Sequence, residues 1–297
     1  MRCGFEPIRG LSYHVRQWGQ PQPGVPPLVM VHGWMDVGAS FQFVVDALAE
    51  LGQARWVIAP DWRGFGLTAS RGADCYWFPD YVADLDALLD RLCPGQPIDL
   101  VGHSMGGNVV MLYAGVRPQR VRRLVNLEGF GMPATRPAQA PTRLTQWLDE
   151  LQALRQGDKD LKTYASREAV AQRLMKTNPR LPADKALWLA GEWAAPDADG
   201  QWRILGEAGH KLVNPQLYRL EEVLAVHQRI TAPLLAVEAS QNQMAQWWQN
   251  RYTLDEYHER LKSVANVQVA QIDDAGHMLH HDQPGALAAL LQGFLAD

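Results

Sequence analysis

The sequence predicts an α/β fold, a mostly parallel sheet flanked by helices and interrupted by a mainly helical insertion. Three observations predict it. Short apolar runs alternate with longer helix-period patterns up to Glu128, the alternation then stops for about a hundred residues, and strand patterns return near Thr231. Parallel strands need crossover helices that cover both sheet faces, so such strands read as continuous apolar runs.

In chain order, "PLVMVHG" is a buried strand, "ASFQFVVDALAEL" an amphipathic helix, "RWVIAPD" a strand and "FPDYVADLDALLDRL" a helix. "PIDLVGH" then reads as a strand, "MGGNVVMLYAGV" as a helix and "VRRLVNLEG" as a strand. The insertion offers four helical stretches, "APTRLTQWLDELQALRQG", "SREAVAQRLMKT", "ADKALWLAGEW" and "PQLYRLEEVLAVHQRI". Pro133, Pro137, Pro141, Gly157, Pro179, Pro182, Pro196 and Pro215 punctuate it. Strands "APLLAVEAS" and "VQVAQIDD" and the helix "QPGALAALLQGFLAD" complete the pattern. The expected division is a core of residues 1–131 and 229–297 with an insertion over 132–228.

Composition narrows the partners. With 28 basic and 32 acidic residues the formal charge is −4, which offers no basic field for nucleic acid or an anionic membrane. A small-molecule ligand is expected, and a homodimer stays open. The start, "MRCGFEPIRG", has no apolar run after its charge, and no stretch of 18 apolar residues follows. Cys3, Cys75 and Cys93 form neither a CxxC pair nor a disulfide framework. A reduced, cytoplasmic protein is expected.

The chemistry concentrates in "LVGHSMGGNV". Gly102-His103-Ser104-Met105-Gly106 matches G-x-S-x-G where a strand meets a helix. That turn is tight enough to strain the serine backbone, and flanking glycines remove Cβ atoms that would clash. Ser104 is thereby exposed at the carboxyl edge of the sheet as a nucleophile. A hydroxyl needs a base, and His277 in "DDAGHMLHHDQP" follows the last strand on a loop over the same edge. An oxyanion site is expected from the Met105 N–H and, after the turn His32-Gly33, the Trp34 N–H.

With "HGWMD", "DWRGFGLT", "GHSMGG" and "GHMLHHDQP" in this order, the chain resembles the α/β-hydrolase superfamily in its cap-bearing branch. "NLEGFGMP" and "NPQLYRLEEVLAVHQRITAPLL" look like its serine-hydrolase-like proteins. The resemblance implies an α/β-hydrolase fold with a helical cap inserted after the sixth strand. It also implies an acid that orients the histidine. In the usual place for that acid stands "VEASQN", with Asn242 near the aspartate position. Glu128, at the end of "VRRLVNL", is the expected substitute; Glu238, at the end of "LLAVE", is the alternative, and Asp255 or no acid remains.

Weaker signals complete the reading. "DWRGFG" lacks GxGxxG, so no nucleotide cofactor is expected, and Arg63 is read as bracing that loop through ion pairs. The "HMLHH" spacing at 277–281 lacks HExxH, and no metal is expected. His32, Gly33, His103, Trp147 and Trp188 are expected pocket residues, with an apolar substrate.

The expected activity is a serine hydrolase, esterase-like, that cleaves a carboxylic ester or thioester through an acyl-enzyme without a cofactor. C–C bond hydrolysis or lysis, or cofactor-free oxygenation, by the same residues is an alternative, as is a non-catalytic small-molecule binder. Dehalogenases and epoxide hydrolases of similar architecture carry an aspartate where Ser104 stands, which sets them aside.

Overall fold

The chain opens with an antiparallel hairpin, β1 (Arg2–Ile8) and β2 (Leu11–Trp18). Its two-residue turn has Arg9 at φ 46° and Gly10 at φ 79°, the left-handed pair whose twist matches the flanking strands. The computed structural model describes residues 1–70 and 72–296; Asp297, which the sequence reading placed in the last helix, lies outside them. The α/β alternation follows as expected: β3 (Leu28–Val31), α1 (Gln42–Glu50), β4 (Val57–Pro60), α2 (Phe78–Leu92), β5 (Ile98–His103), α3 (Met105–Val116) and β6 (Val121–Leu127).

Residues 132–228 hold α4 (Ala140–Arg155), β7 (Thr163–Tyr164), α5 (Arg167–Thr177), α6 (Ala183–Trp193), β8 (Ala194–Pro196), β9 (Trp202–Ile204) and α7 (Leu220–His227). The four expected helices are present. The three short strands pair in the order β7-β9-β8 and were not expected, because runs of two or three residues carry no readable alternation. The helix read from Pro215 begins only at Leu220. This stretch packs its own cluster, Val170, Ala171, Leu174, Leu181, Ala186 and Leu189 among its members.

The chain returns to the main sheet with β10 (Leu234–Ala239), α8 (Met244–Trp247), α9 (Leu254–Leu261), β11 (Val267–Ile272), α10 (Leu279–Asp282) and α11 (Pro284–Leu295). The eight-stranded sheet runs β1-β2-β4-β3-β5-β6-β10-β11, and every pair from β4 to β11 is parallel. Alternate residues feed opposite faces. Val29, Val31, Ile58, Leu100 and Leu124 pack against Leu85 and Leu88 of α2 and Val110 of α3. Leu28, Met30, Val57, Val101 and Val125 meet Val44 and Leu48 of α1 and Leu287 and Leu291 of α11. Between β3 and β5 the winding reverses, since β4 lies on one side of β3 and β5 on the other. Such a switch point leaves a crevice beyond the carboxyl ends of the two strands.

Candidate active site

Ser104 stands at that crevice, in the turn from β5 to α3. Its backbone sits at φ 53°, ψ −114°, outside the regions that side chains normally adopt, as the motif implied. The flanking glycines are needed for contact reasons. A Cβ on Gly102 would lie 2.4 Å from the Gly106 carbonyl oxygen, and one on Gly106 would lie 2.4 Å from that of Val31.

His277 lies after β11, and its Nε2 is 3.0 Å from the Ser104 hydroxyl. The backbone around it is pinned. His103 Nε2–H donates to the His277 carbonyl at 2.8 Å, and the Gly276 N–H donates to Asp282 at 2.8 Å. The Trp247 ring closes one side of the imidazole, edge to face at 4.4 Å.

The other imidazole nitrogen, Nδ1, faces Glu128 Oε2 at 3.3 Å. Glu128 follows β6 with φ 56°, and its second oxygen accepts the Ala239 N–H at 2.7 Å. One carboxylate oxygen is thus anchored on β10 while the other meets the histidine. The Asn126 side chain fixes the turn by exchanging two 2.9 Å hydrogen bonds with the Gly129 backbone. That clamp was missed in the sequence, although "NLEG" carries the Asx-to-glycine spacing of a side-chain-closed turn.

Glu238 is turned elsewhere, with Oε1 held by His258 Nε2 at 2.6 Å. Asn242 holds its own loop, donating to the Ala239 carbonyl and accepting from the Met244 N–H. Asp255 sits in the first turn of α9, where an acid favours the helix dipole. Of the acids considered in the sequence, Glu128 is the one placed against His277.

Burial sets the electrostatics. It pushes the Glu128 carboxyl up, to about 8, against a lowering by the Ala239 N–H and with a further rise from Glu238. It pushes the His277 imidazole down, to about 4, with Asp36 acting in the opposite sense. Both shifts disfavour the charged forms.

Gly33 approaches the nucleophile closely, since a Cβ there would lie 3.1 Å from the Ser104 Cβ. Trp34 is half exposed, and its indole donates to the His210 carbonyl at 3.1 Å. His210 is itself stacked between Phe65 and Tyr76, each ring centroid 3.6 Å away, which ties residues 207–211 to the 61–76 loop.

His32, His103, Trp188 and Trp147 were expected to line the pocket. His32 is fully buried, its Nδ1–H donating to the Gly33 carbonyl and its Nε2 accepting the Trp62 N–H. His103 is buried, with Nε2 on the His277 carbonyl and Nδ1 without a hydrogen-bond partner among the described residues. Trp188 packs edge-on against Phe43 at 5.6 Å, in the cluster of residues 170–194. Trp147 lies on α4, part-buried, with its indole nitrogen buried and unpartnered among the described residues. His103 ends β5 and His32 directly follows β3, and both rings are buried. Arg63 does brace its loop, gripping Asp84 through Nε at 2.5 Å and through a second nitrogen at 2.6 Å.

Among the described residues, one group of metal-ligating side chains converges: Asp36, His103 and His280, all buried, with ligand atoms within 4.8 Å of one another. A carboxylate with two imidazoles is a donor set suited to zinc. His277 and His281 do not belong to it, so the "HMLHH" spacing does not describe one site. No helix among the described residues is long and apolar enough to cross a membrane.

A family model described as the alpha/beta hydrolase fold matches residues 26–284. The chain belongs to that family. It is similar to a serine hydrolase-like protein of Danio rerio, 27% identical over 284 residues that make up 94% of this chain and 83% of the relative. Over 106 residues it is 38% identical to a 2-hydroxy-6-oxo-2,4-heptadienoate hydrolase of Pseudomonas putida, covering 36% of this chain and 38% of that one. The solved thioesterase domain from the curacin biosynthetic pathway superposes with a TM-score of 0.83 and 24% identity, over 98% of this chain and 99% of that one. At that identity the likeness shows the fold.

Proposed function

We propose that this alpha/beta hydrolase is a serine hydrolase that cleaves carboxylic esters or thioesters through an acyl-enzyme. The observation that carries the reading is the continuous chain from the Ser104 hydroxyl to His277 Nε2 at 3.0 Å and from His277 Nδ1 to Glu128 at 3.3 Å. The Ser104 oxygen attacks the carbonyl carbon as its proton passes to His277 Nε2. The imidazolium, steadied by the Glu128 carboxylate, then gives that proton to the departing alcohol or thiol. The backbone N–H groups of Trp34 and Met105 are the proposed oxyanion donors, which the close approach of Gly33 to Ser104 supports. Water, activated by the same imidazole, releases the acid. Residues 132–228 are the proposed cap over a core of 1–131 and 229–297.

C–C bond hydrolysis by the same residues is a second reading, supported by the likeness to the heptadienoate hydrolase. An acid-quenched mixture with p-nitrophenyl acetate separates the outcomes. Intact mass is expected to show an acetyl group that peptide mapping places on Ser104 and that Ser104→Ala abolishes. No acyl adduct, with turnover of a vinylogous 1,5-diketone in its place, would favour the second reading.

A further inference from the structure

A cavity of about 890 Å³ is lined by chain neighbours of Ser104 and Glu128 but not by Ser104, His277 or Glu128 themselves, and the esterase mechanism makes no use of it. Gly129 and Phe130, which directly follow Glu128, line it, as does Trp248, which follows the Trp247 ring that closes on His277. Asn108, whose N–H caps the Ser104 carbonyl at 3.1 Å, also faces it. Its walls are largely apolar, with Phe78, Met111, Tyr218 and Val223 among them.

The charge on its lining is one-sided. Arg136, Arg143, Arg219, Arg251 and Arg260 line the cavity, against one carboxylate, Glu222. Glu222 is held 3.8 Å from Arg219 in an exposed pair, so it offsets one arginine at most. Arg260 is committed to Glu256 at 2.6 Å and to the Met132 carbonyl at 2.7 Å, although its Nε is buried with no partner. Arg136, Arg143 and Arg251 make no ion pair among the described residues. Arg251 donates Nε to the Trp248 carbonyl and leaves its other nitrogens free of carboxylates. With Arg136 and Arg251 exposed and Arg143 part-buried, the three guanidiniums border an apolar cavity and suit a ligand with an apolar body and a carboxylate or phosphate end, which such forks grip in bidentate fashion.

We propose that this cavity binds the anionic part of the substrate, so that the esters or thioesters turned over carry a carboxylate or phosphate group away from the scissile bond. The proposal rests on the serine-hydrolase reading. Two substrate pairs distinguish which side of the bond bears the charge. The p-nitrophenyl ester of suberic acid against that of monomethyl suberate tests a carboxylate on the acyl side. Octanoyl-coenzyme A against octanoyl-N-acetylcysteamine tests phosphates on the leaving group.

In one pair the anionic member is expected to have a kcat/KM about tenfold higher or more, carried by a lower KM and reduced by added KCl. In the combined variant Arg136→Gln, Arg143→Gln, Arg251→Gln that ratio falls to about one. Equal kcat/KM within both pairs in the native protein, or a preference that survives in the combined variant, overturns the proposal. Hydrolysis of neither member of either pair, with no acylation of Ser104, instead overturns the hydrolase reading. Anion binding then stays measurable by titrating Ser104→Ala with monomethyl suberate in a calorimeter. A dissociation constant at least tenfold weaker in the combined arginine variant is expected, and no binding, or unchanged binding, counts against the cavity.

Discussion

Replacing His277 with alanine is expected to lower kcat/KM for a p-nitrophenyl ester by roughly 10⁴–10⁶-fold, and Ser104→Ala by a similar factor. A factor of 10⁴ corresponds to about 5–6 kcal/mol of transition-state stabilisation. The two losses do not add. With the imidazole gone, the Ser104 hydroxyl has no acceptor at 3.0 Å and loses its nucleophilic character; with the hydroxyl gone, the imidazole has nothing to activate. The double variant is therefore expected to match either single variant within a few-fold. Additive losses would show that the residues act separately. Far-UV circular dichroism checks the folds, since His277 is only part-buried and its truncation leaves the His103-to-carbonyl hydrogen bond intact.

Glu128→Gln carries the second large effect, a fall in kcat of about 10³–10⁴-fold, while Glu238→Gln stays within a few-fold. The amide can still accept from the Ala239 N–H, so the turn survives while the charge facing His277 is lost. The pH profile gives the sign. The active form has the Glu128 carboxylate ionised and the imidazole neutral. As pH falls the pair gains a proton and the base disappears, so activity declines on the acid side. Burial lowers the imidazole and raises the carboxyl. A neighbouring carboxylate favours the imidazolium, so the native acid limb is expected to lie above the limb seen without that carboxylate. Removing the carboxylate takes that support away, and in Glu128→Gln the acid limb is expected to move down. A limb that moves up, or one that shifts in Glu238→Gln instead, would assign the acid wrongly.

How far the sequence was legible follows from what each signal depends on. β3, β5 and β10 read clearly because both of their faces are buried, which keeps them predominantly apolar. The first hairpin did not, because β1 is mostly exposed and its left-handed turn uses Arg9 where asparagine or glycine would have announced it. Ser104 and His277 were legible since each depends on a local event, the end of a strand followed by a glycine-marked turn.

The choice between Glu128 and Glu238 was not legible to the end. Both close neighbouring parallel strands, with Leu127 paired to Val237 one residue before each acid. What separates them is the positive φ at Glu128, the Asn126 clamp behind it, and the capture of Glu238 by His258, twenty residues downstream. Long-range pairings of that kind leave no periodic trace. The arginine-lined cavity is similarly hidden, because its cations come from α4, α9 and the loops before α4, α7 and α9, and meet only in the folded chain.

On the proposed mechanism, folding converts Ser104 into an activated nucleophile. The most direct test is intact mass and peptide mapping after treatment with a fluorophosphonate, with the native protein beside Ser104→Ala and His277→Ala. The account predicts a single phosphonyl adduct on Ser104 of the native protein, absent from Ser104→Ala and formed far more slowly in His277→Ala. An unmodified native protein, or an adduct that forms as fast without His277, would contradict it.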